Sequence, residues 1–343
     1  MKHAIVYIDG SEGEGGGQML RSSLSLSMVT GIPFKMSHIR AGRKNPGLMR
    51  QHLTCVRAAA KVSGAKVTGA EMGSKELTFI PGKPKGGDYH FAIGTAGSTT
   101  LVAQTVLPAL MLADEPSTLT FEGGTHNMLS PPFDFLLHSF LPVLQKMGVK
   151  VEAQLHKHGF YPAGGGKISL AVTPAKTLQP LELMERGALK SPVAEAWFAN
   201  LSVDIAKREL AAVGKLMQWP EETLHLRQIK DSVSTGNVIL LKLEHEALTE
   251  TVCAFGRLGV TAEKVAEEAC HEAGIYLAGS ATVGTHLADQ LLLPMALAGA
   301  GRFTTLAPTP HTRTNIDVIQ KFIPCSITVE EREDQSWLIV VNG

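Results

Sequence analysis

Apolar residues recur at helical spacing in GGGQMLRSSLSLSMVTG, AGSTTLVAQTVLPALMLAD and GTHLADQLLLPMALAGA, and each stretch predicts a helix. A glutamine stands near the start of each: Gln18, Gln104 and Gln290. Four residues later come Ser22, Pro108 and Pro294. A proline inside a helix costs ~3 kcal/mol, so its return at one offset marks an internal repeat.

Each helix leads into a short strand, FKMSHIRAG, STLTFEGG or RFTTLAPT. A polar or Gly/Pro loop follows, then a second amphipathic helix: GLMRQHLTCVRAAAKVSG, PFDFLLHSFLPVLQKMG or NIDVIQKFIP. A further strand or hairpin closes the unit, which reads β-α-β-α-β-β with two helices on one face of a small sheet. The fold class expected is α/β (α+β): three repeated βαβαββ units forming a pseudo-threefold large domain over 1–182 and 279–343.

From about Leu183 to about Ala278 the pattern changes. A strand (VAEAWFANL), a charged amphipathic helix (VDIAKRELAAVGKLMQW), three more strands and a helix (AEKVAEEACHEAGIYLA) predict a small inserted α+β domain over 183–278. Its charges read as solvated helix faces.

Composition narrows the function. The 343 residues exceed the ~100–200 of one domain, and 44% hydrophobic with 19% charged residues describe an ordinary globular chain. Thirty-two basic residues balance 32 acidic ones, which excludes a broad basic face tracking long nucleic acid. A small anion or a nucleic-acid end stays open. Cys55, Cys253, Cys270 and Cys325 form no CxxC pair, so free thiols are expected rather than a zinc site or a disulfide framework. The start, MKHAIVYIDG, passes at once into an alternating strand without a leader pattern, and no apolar run reaches the ~18 residues of a membrane span. A cytoplasmic protein is expected, or a nucleoplasmic one in a eukaryote.

In each unit the strand-to-helix loop lies about twenty residues after the glutamine. These loops hold His38, Arg40 and Arg43; His126 and Asn127; and His311, Arg313 and Asn315. If the units pack symmetrically the loops converge, and His311 belongs to a site instead of a solvated loop.

Three motifs bear on that site. GSEGEGGGQMLR sets a glycine-dense turn against a helix start, where free N–H groups can hold phosphate, or where glycine merely permits the turn. It is neither a Walker A loop nor a dinucleotide fingerprint, since no Lys-Ser/Thr follows and Gln18 takes the place of the third glycine. Glu14 in this turn repels an anion unless a divalent cation or a base intervenes. HIRAGRKNPGLMRQH groups Arg40, Arg43, Lys44 and Arg50, which favours a phosphate grip over a solvated helix start. HGFYPAGGGK has three glycines in a hairpin, a place where another backbone or a ligand comes close.

The string His158-Gly159, Pro162, Gly164-Gly165-Gly166 and Ile168 resembles the signature of RNA 3′-terminal phosphate cyclases. The resemblance runs through the chain in order: GEGGGQMLR, IRAGRKNPGL, RQHL, FAIGTAGSTT, LADQLLLPMALAGAG and PHTRTN. It implies an ATP-dependent ligase-type enzyme in which a histidine, here His311, takes AMP from ATP and passes it to an RNA 3′-phosphate. Attack by the neighbouring 2′-hydroxyl then gives a 2′,3′-cyclic phosphate. An imidazole is largely neutral near pH 7 and is a competent nucleophile. The resemblance also implies a divalent metal, Mg2+ or Mn2+, with Glu14 as ligand. Arg21, Arg40, Arg43, Gln51 and His52 are then expected at the phosphate or RNA end, and Gln104, Pro131, His286, Asp289 and Gln290 around the nucleotide. His286 stands where family members often carry tyrosine, so adenine stacking would be narrower.

Two other readings remain. A non-catalytic relative working in ribosome assembly shares the fold and the glycines but lacks the nucleophile, so His311 favours the enzyme. A carboxyvinyl transferase of related fold would need no covalent AMP. The expected partner is an RNA 3′-phosphate end and not a membrane, with monomer and homodimer both open.

Overall fold

The structure, a computed structural model, describes residues 4–14 and 16–343. Gly15, within the expected anion-binding turn, lies outside the described residues. The described chain is mixed α/β, with eight helices, counting 133–146 as one with a π turn at its centre, and four mixed four-stranded sheets. No described helix is long and apolar enough to cross a membrane. All four cysteines are free.

The first sheet is built from Val6–Asp9, Phe34–Ser37, Leu77–Ile80 and Lys66–Thr68, in that spatial order. The first pair is parallel and the other two are antiparallel, as a helical crossover followed by a hairpin requires. Gly87–Ala92, Ser117–Gly123, Gly166–Thr173 and Lys150–Lys157 repeat this order in a second sheet. Leu181–Leu183, Ala300–Thr305, Trp337–Asn342 and Ser326–Glu331 repeat it in a third. The first strand of the third sheet precedes the segment of changed pattern, so the expected junction at 182 falls inside that strand.

The fourth sheet orders Leu224–Ile229, Leu189–Ala199, Gly236–His245 and Thr249–Phe255. Its longest strand alternates strictly. Ala194, Ala196 and Phe198 face a core shared with the Val203–Met217 and Ala262–Ala278 helices, while Trp197 and Ala199 face Phe160 from the glycine hairpin. The remaining sheets and helices share one separate core. Within it, burying a side chain such as Phe34 or Leu24 contributes about 1.5–3 kcal/mol.

The helix Gly17–Thr30 is buried on nearly every face, because neighbours surround it. Its serines suit that position: small side chains let helices approach, and Ser25 Oγ donates to the Thr105 carbonyl of the helix Thr99–Leu110 at 2.7 Å. Equivalent positions of the three glutamine-bearing helices line one cavity: Gln18, Gln104 and Gln290, with Ser22, Pro108 and Pro294 one turn on.

The chain around His311 is helix rather than loop. Thr309 caps it, its hydroxyl accepting from Thr312 N at 3.2 Å; Pro310 takes the first position, and the helix runs Pro310–Phe322. A missing N–H costs nothing at a first helical turn, so proline begins this helix instead of holding the chain in a loop.

Candidate active site

His311 thus projects from the first turn of a helix, on a rigid support. Its Nδ1 lies 2.9 Å from Gln18 Oε1, and Gln18 Nε2 lies 2.6 and 2.7 Å from the two carboxylate oxygens of Asp289. A carboxylate accepts only, so the amide nitrogen of Gln18 faces Asp289 and its oxygen faces the imidazole. Nδ1 therefore donates, and in the neutral ring the lone pair is on Nε2.

Asp289 is fixed in turn by Asn315, whose Nδ2 donates to its carbonyl at 3.0 Å and to Oδ1 at 3.1 Å. Ser22 Oγ donates to Asn315 Oδ1 at 2.7 Å, which sets that amide as well. Burial raises the Asp289 pKa, and hydrogen bonds from Gln18 and Asn315 with the charges of His311 and Arg21 oppose the rise.

On the other side of the ring, Nε2 is 3.3 Å from Glu14 Oε1, an oxygen also held by Arg43. The turn carrying Glu14 is pressed against the His311 helix: Glu14 N donates to Thr314 Oγ1 at 3.1 Å, and Gly13, at φ +56°, leaves no room for a side chain beside Thr314. Gly16 likewise leaves the space that the Glu14 carboxylate fills; a Cβ there would sit 2.4 Å from Oε2. Among the described residues, Glu14 Oε2 is buried without a hydrogen-bond partner.

Arginines crowd the same end. Burial pushes the Arg21 guanidinium down from its usual pKa, against the pull of Cys55, Asp289 and Glu14. Arg40, at φ +56°, spends Nη1 on its own turn, donating to the carbonyls of Asn45 at 2.7 Å and Gly47 at 2.9 Å. Burial and, after it, the charge of Arg43 lower its pKa. His52 is held to about 3 by burial and by Arg40, Arg21 and Arg43, so it is a neutral imidazole among cations. Its ring packs on Gly17, where a Cβ would lie 2.4 Å from Nε2, and its Nδ1 is buried without a partner among the described residues.

The other expected positions divide. Gln104 donates to Gln290 across the cavity that Gln18, Arg21 and Asp289 also line. Gln51 Oε1 accepts from Ser98 N at 3.0 Å, and the Pro131 carbonyl accepts from Thr100 Oγ1 at 2.7 Å, so both sit at the start of the second glutamine helix. His286 is exposed and faces Glu272 at 3.4 Å. His126 turns elsewhere: it is buried, with Asp134 2.8 Å from Nε2 and Thr125 2.7 Å from Nδ1, and it stacks on His158. The loops of the first and third units meet, and the second contributes a separate buried cluster.

Gln18 and Asn315 complete the surroundings of His311; Asn315 was named only as a neighbour in the His311 loop, and Gln18 only as a recurring helix residue, neither with a role at the imidazole. The signal for Gln18 was present, since the same residue recurs at the same place in three helices.

A family model described as RNA 3′-terminal phosphate cyclase matches residues 12–329. A protein of that name from Koribacter versatilis is 52% identical over 330 residues, covering 96% of this chain and 93% of its own. Another from Ralstonia nicotianae is 52% identical over 332 residues, with 96% and 95% covered. A third, from Salmonella agona, is 48% identical over 336 residues, with 98% and 97% covered. Similarity of this extent, spanning every element that positions His311, places the chain in the RNA 3′-terminal phosphate cyclase family.

Proposed function

We propose that this protein converts an RNA 3′-terminal phosphate to a 2′,3′-cyclic phosphodiester at the expense of ATP, through AMP bound to His311. The observation that carries the reading is the Asp289–Gln18–His311 chain, which leaves the imidazole with its lone pair on Nε2, beside Glu14 and Arg43.

His311 Nε2 attacks the α-phosphorus of ATP; an N–P bond forms and the bond to pyrophosphate breaks. Gln18 keeps the proton on Nδ1, and Asp289 stabilises the cationic ring that results. Arg21 and Arg43 face the leaving phosphates, where fixed positive charge matters most. An oxygen of the RNA 3′-phosphate then takes the AMP from His311, giving an RNA-(3′)pp(5′)A end. The vicinal 2′-hydroxyl attacks the 3′-phosphorus and AMP departs with the electron pair. This step needs no further protein nucleophile, because intramolecular attack already carries a large proximity advantage.

The buried Oε2 of Glu14, without a hydrogen-bond partner among the described residues, fits one ligand position of a divalent ion. No group of three metal-binding side chains exists among the described residues, so Mg2+ or Mn2+ would share Glu14 with water and substrate phosphates. Bound there, such an ion neutralises charge on the departing pyrophosphate.

Gln104, Pro131, His286 and Gln290 are assigned to the nucleotide, and Arg40, Gln51 and His52 to the RNA end. The segment 183–278 is read as a domain inserted into the third repeat.

Three end-labelled oligonucleotides, incubated with excess protein, ATP and magnesium, test this sequence. A ribose 3′-phosphate end should cyclise, a 2′-deoxy 3′-phosphate end should accumulate as RNA-(3′)pp(5′)A, and a 3′-hydroxyl end should be inert. Cyclisation independent of ATP, or equal consumption of the 3′-hydroxyl oligonucleotide, overturns the reading.

A further inference from the structure

Of the six most exposed large apolar side chains described, four, Met128, Leu129, Tyr161 and Val233, belong to segments gathered about one loop. Tyr161 is 77% exposed and Leu129 is 96% exposed, in a chain that buries most of its aromatic residues. The loop is 94–98. Asn127, preceding Met128, donates from Nδ2 to the Ala96 carbonyl at 2.7 Å. Gly164, three residues after Tyr161, lies so close to the same loop that a Cβ would be 2.8 Å from Ala96 Cα. Its neighbour Gly165 is against Val233, with 2.5 Å from a built Cβ to Cγ2. The patch therefore joins three separate segments on one support.

The same loop also meets the start of the helix that carries His52. Ser98 N donates to Gln51 Oε1, and Arg50 Nη1 reaches Gly94, 4.0 Å from where a Cβ would stand. Gln51 and Arg50 immediately precede His52, which packs on the first turn of the Gln18 helix. Exposed apolar and aromatic residues and the cationic Arg50 thus stand on segments that meet the same 94–98 loop. Apolar patches of this kind mark binding surfaces, and an aromatic face next to a guanidinium is what single-stranded nucleic acid uses: the ring stacks on a base while the cation holds the backbone. A protein partner would use the apolar residues but would gain nothing from Arg50 and Gln51.

We propose that this patch holds the unpaired nucleotides upstream of the terminal two, with Tyr161 as the stacking face and Arg50 on an intervening phosphodiester. The proposal rests on the reading of the His311 site as one that acts on RNA ends. It makes the enzyme a reader of single-stranded 3′ ends: a terminus paired up to its last nucleotide cannot lay its upstream bases on Tyr161.

The test compares a dinucleotide and an octanucleotide, both unstructured and 3′-phosphorylated, with the parent protein, Tyr161→Ala and Tyr161→Phe. The parent should have a lower KM for the octanucleotide than for the dinucleotide. Tyr161→Ala should raise the octanucleotide KM roughly tenfold, with kcat, the dinucleotide KM and the thermal midpoint unchanged, and Tyr161→Phe should restore it. An unchanged octanucleotide KM in Tyr161→Ala overturns the proposal and assigns the patch to a protein. Equal loss on both oligonucleotides also overturns it, as a distortion of the site. If the parent cyclises neither substrate, the reading of the His311 site fails first.

Discussion

Gln18 joins His311 to Asp289: its amide oxygen is 2.9 Å from the imidazole Nδ1, and its amide nitrogen lies within 2.7 Å of both carboxylate oxygens. The orientation of the amide depends on the carboxylate accepting from it. In Asp289→Asn the new side chain can donate back, so Gln18 loses its single orientation and His311 its fixed tautomer. Transfer of AMP to the protein should slow roughly 10–100-fold in that variant, with near-parental thermal stability. A parental rate in single-turnover labelling would remove Gln18 and Asp289 from the account.

Arg40 and Arg43 should separate in experiment. Arg40 ties the carbonyls of Asn45 and Gly47, whereas Arg43 is exposed and bonds Glu14. Arg40→Ala should lower both the thermal midpoint and the use of RNA ends, since it leaves a turn without its donor. Arg43→Ala should lower activity alone, because a surface ion pair contributes about 0–1 kcal/mol to stability. Melting curves and initial rates on the same preparations decide it; equal loss of stability in both would contradict the assignment.

Close packing of His52 on Gly17 gives a third expectation. A methyl group at Gly17 would meet Nε2 at 2.4 Å, so Gly17→Ala should cost about 1–3 kcal/mol. His52→Ala in the same chain should recover part of that loss, because the collision is removed. A double-mutant cycle in urea measures the coupling, and additivity of the two changes would show that the ring moves aside freely.

The kinship of three helices was visible in the sequence, since each carries glutamine with serine or proline one turn on, and all six side chains line one cavity. The basic loop and the glycine turn stood out by residue type, whereas His311 was singled out by the expected convergence of loops and by the resemblance of PHTRTN to the cyclase family. What escaped was direction. His126 holds the same place in its unit as His311, yet an aspartate eight residues on, Asp134, draws it into a buried pair. Sequence spacing gave no sign of which loop would turn inward. His311 itself was expected in a loop, although Thr309 and Pro310 spell a helix cap and first position. The run of polar residues after them hid it, because Thr312, Thr314 and Asn315 are buried against the first unit rather than exposed.

Stability should depend on pH through Glu250, whose carboxyl burial pushes up to about 8 although Gly284 N donates to it at 3.0 Å. Its folded pKa lies above the unfolded value, so its contribution is fully present below the unfolded carboxyl pKa and is lost as pH rises through about 8. Glu250→Gln stays neutral. The stability of the parent relative to this variant should therefore fall as pH rises from 5 to 8, by at most about 1.4 kcal/mol per pH unit. Parallel pH profiles in denaturant titrations would show that Glu250 ionises without cost.

The central claim is a covalent bond between His311 and AMP. Incubation with ATP labelled at the α-phosphate, with magnesium, followed by a denaturing gel, measures it directly. Label should migrate with the parent protein, be released by acid and resist alkali, as a nitrogen–phosphorus bond does, and be absent from His311→Ala. Full labelling of His311→Ala, or a label stable to acid, would contradict the account.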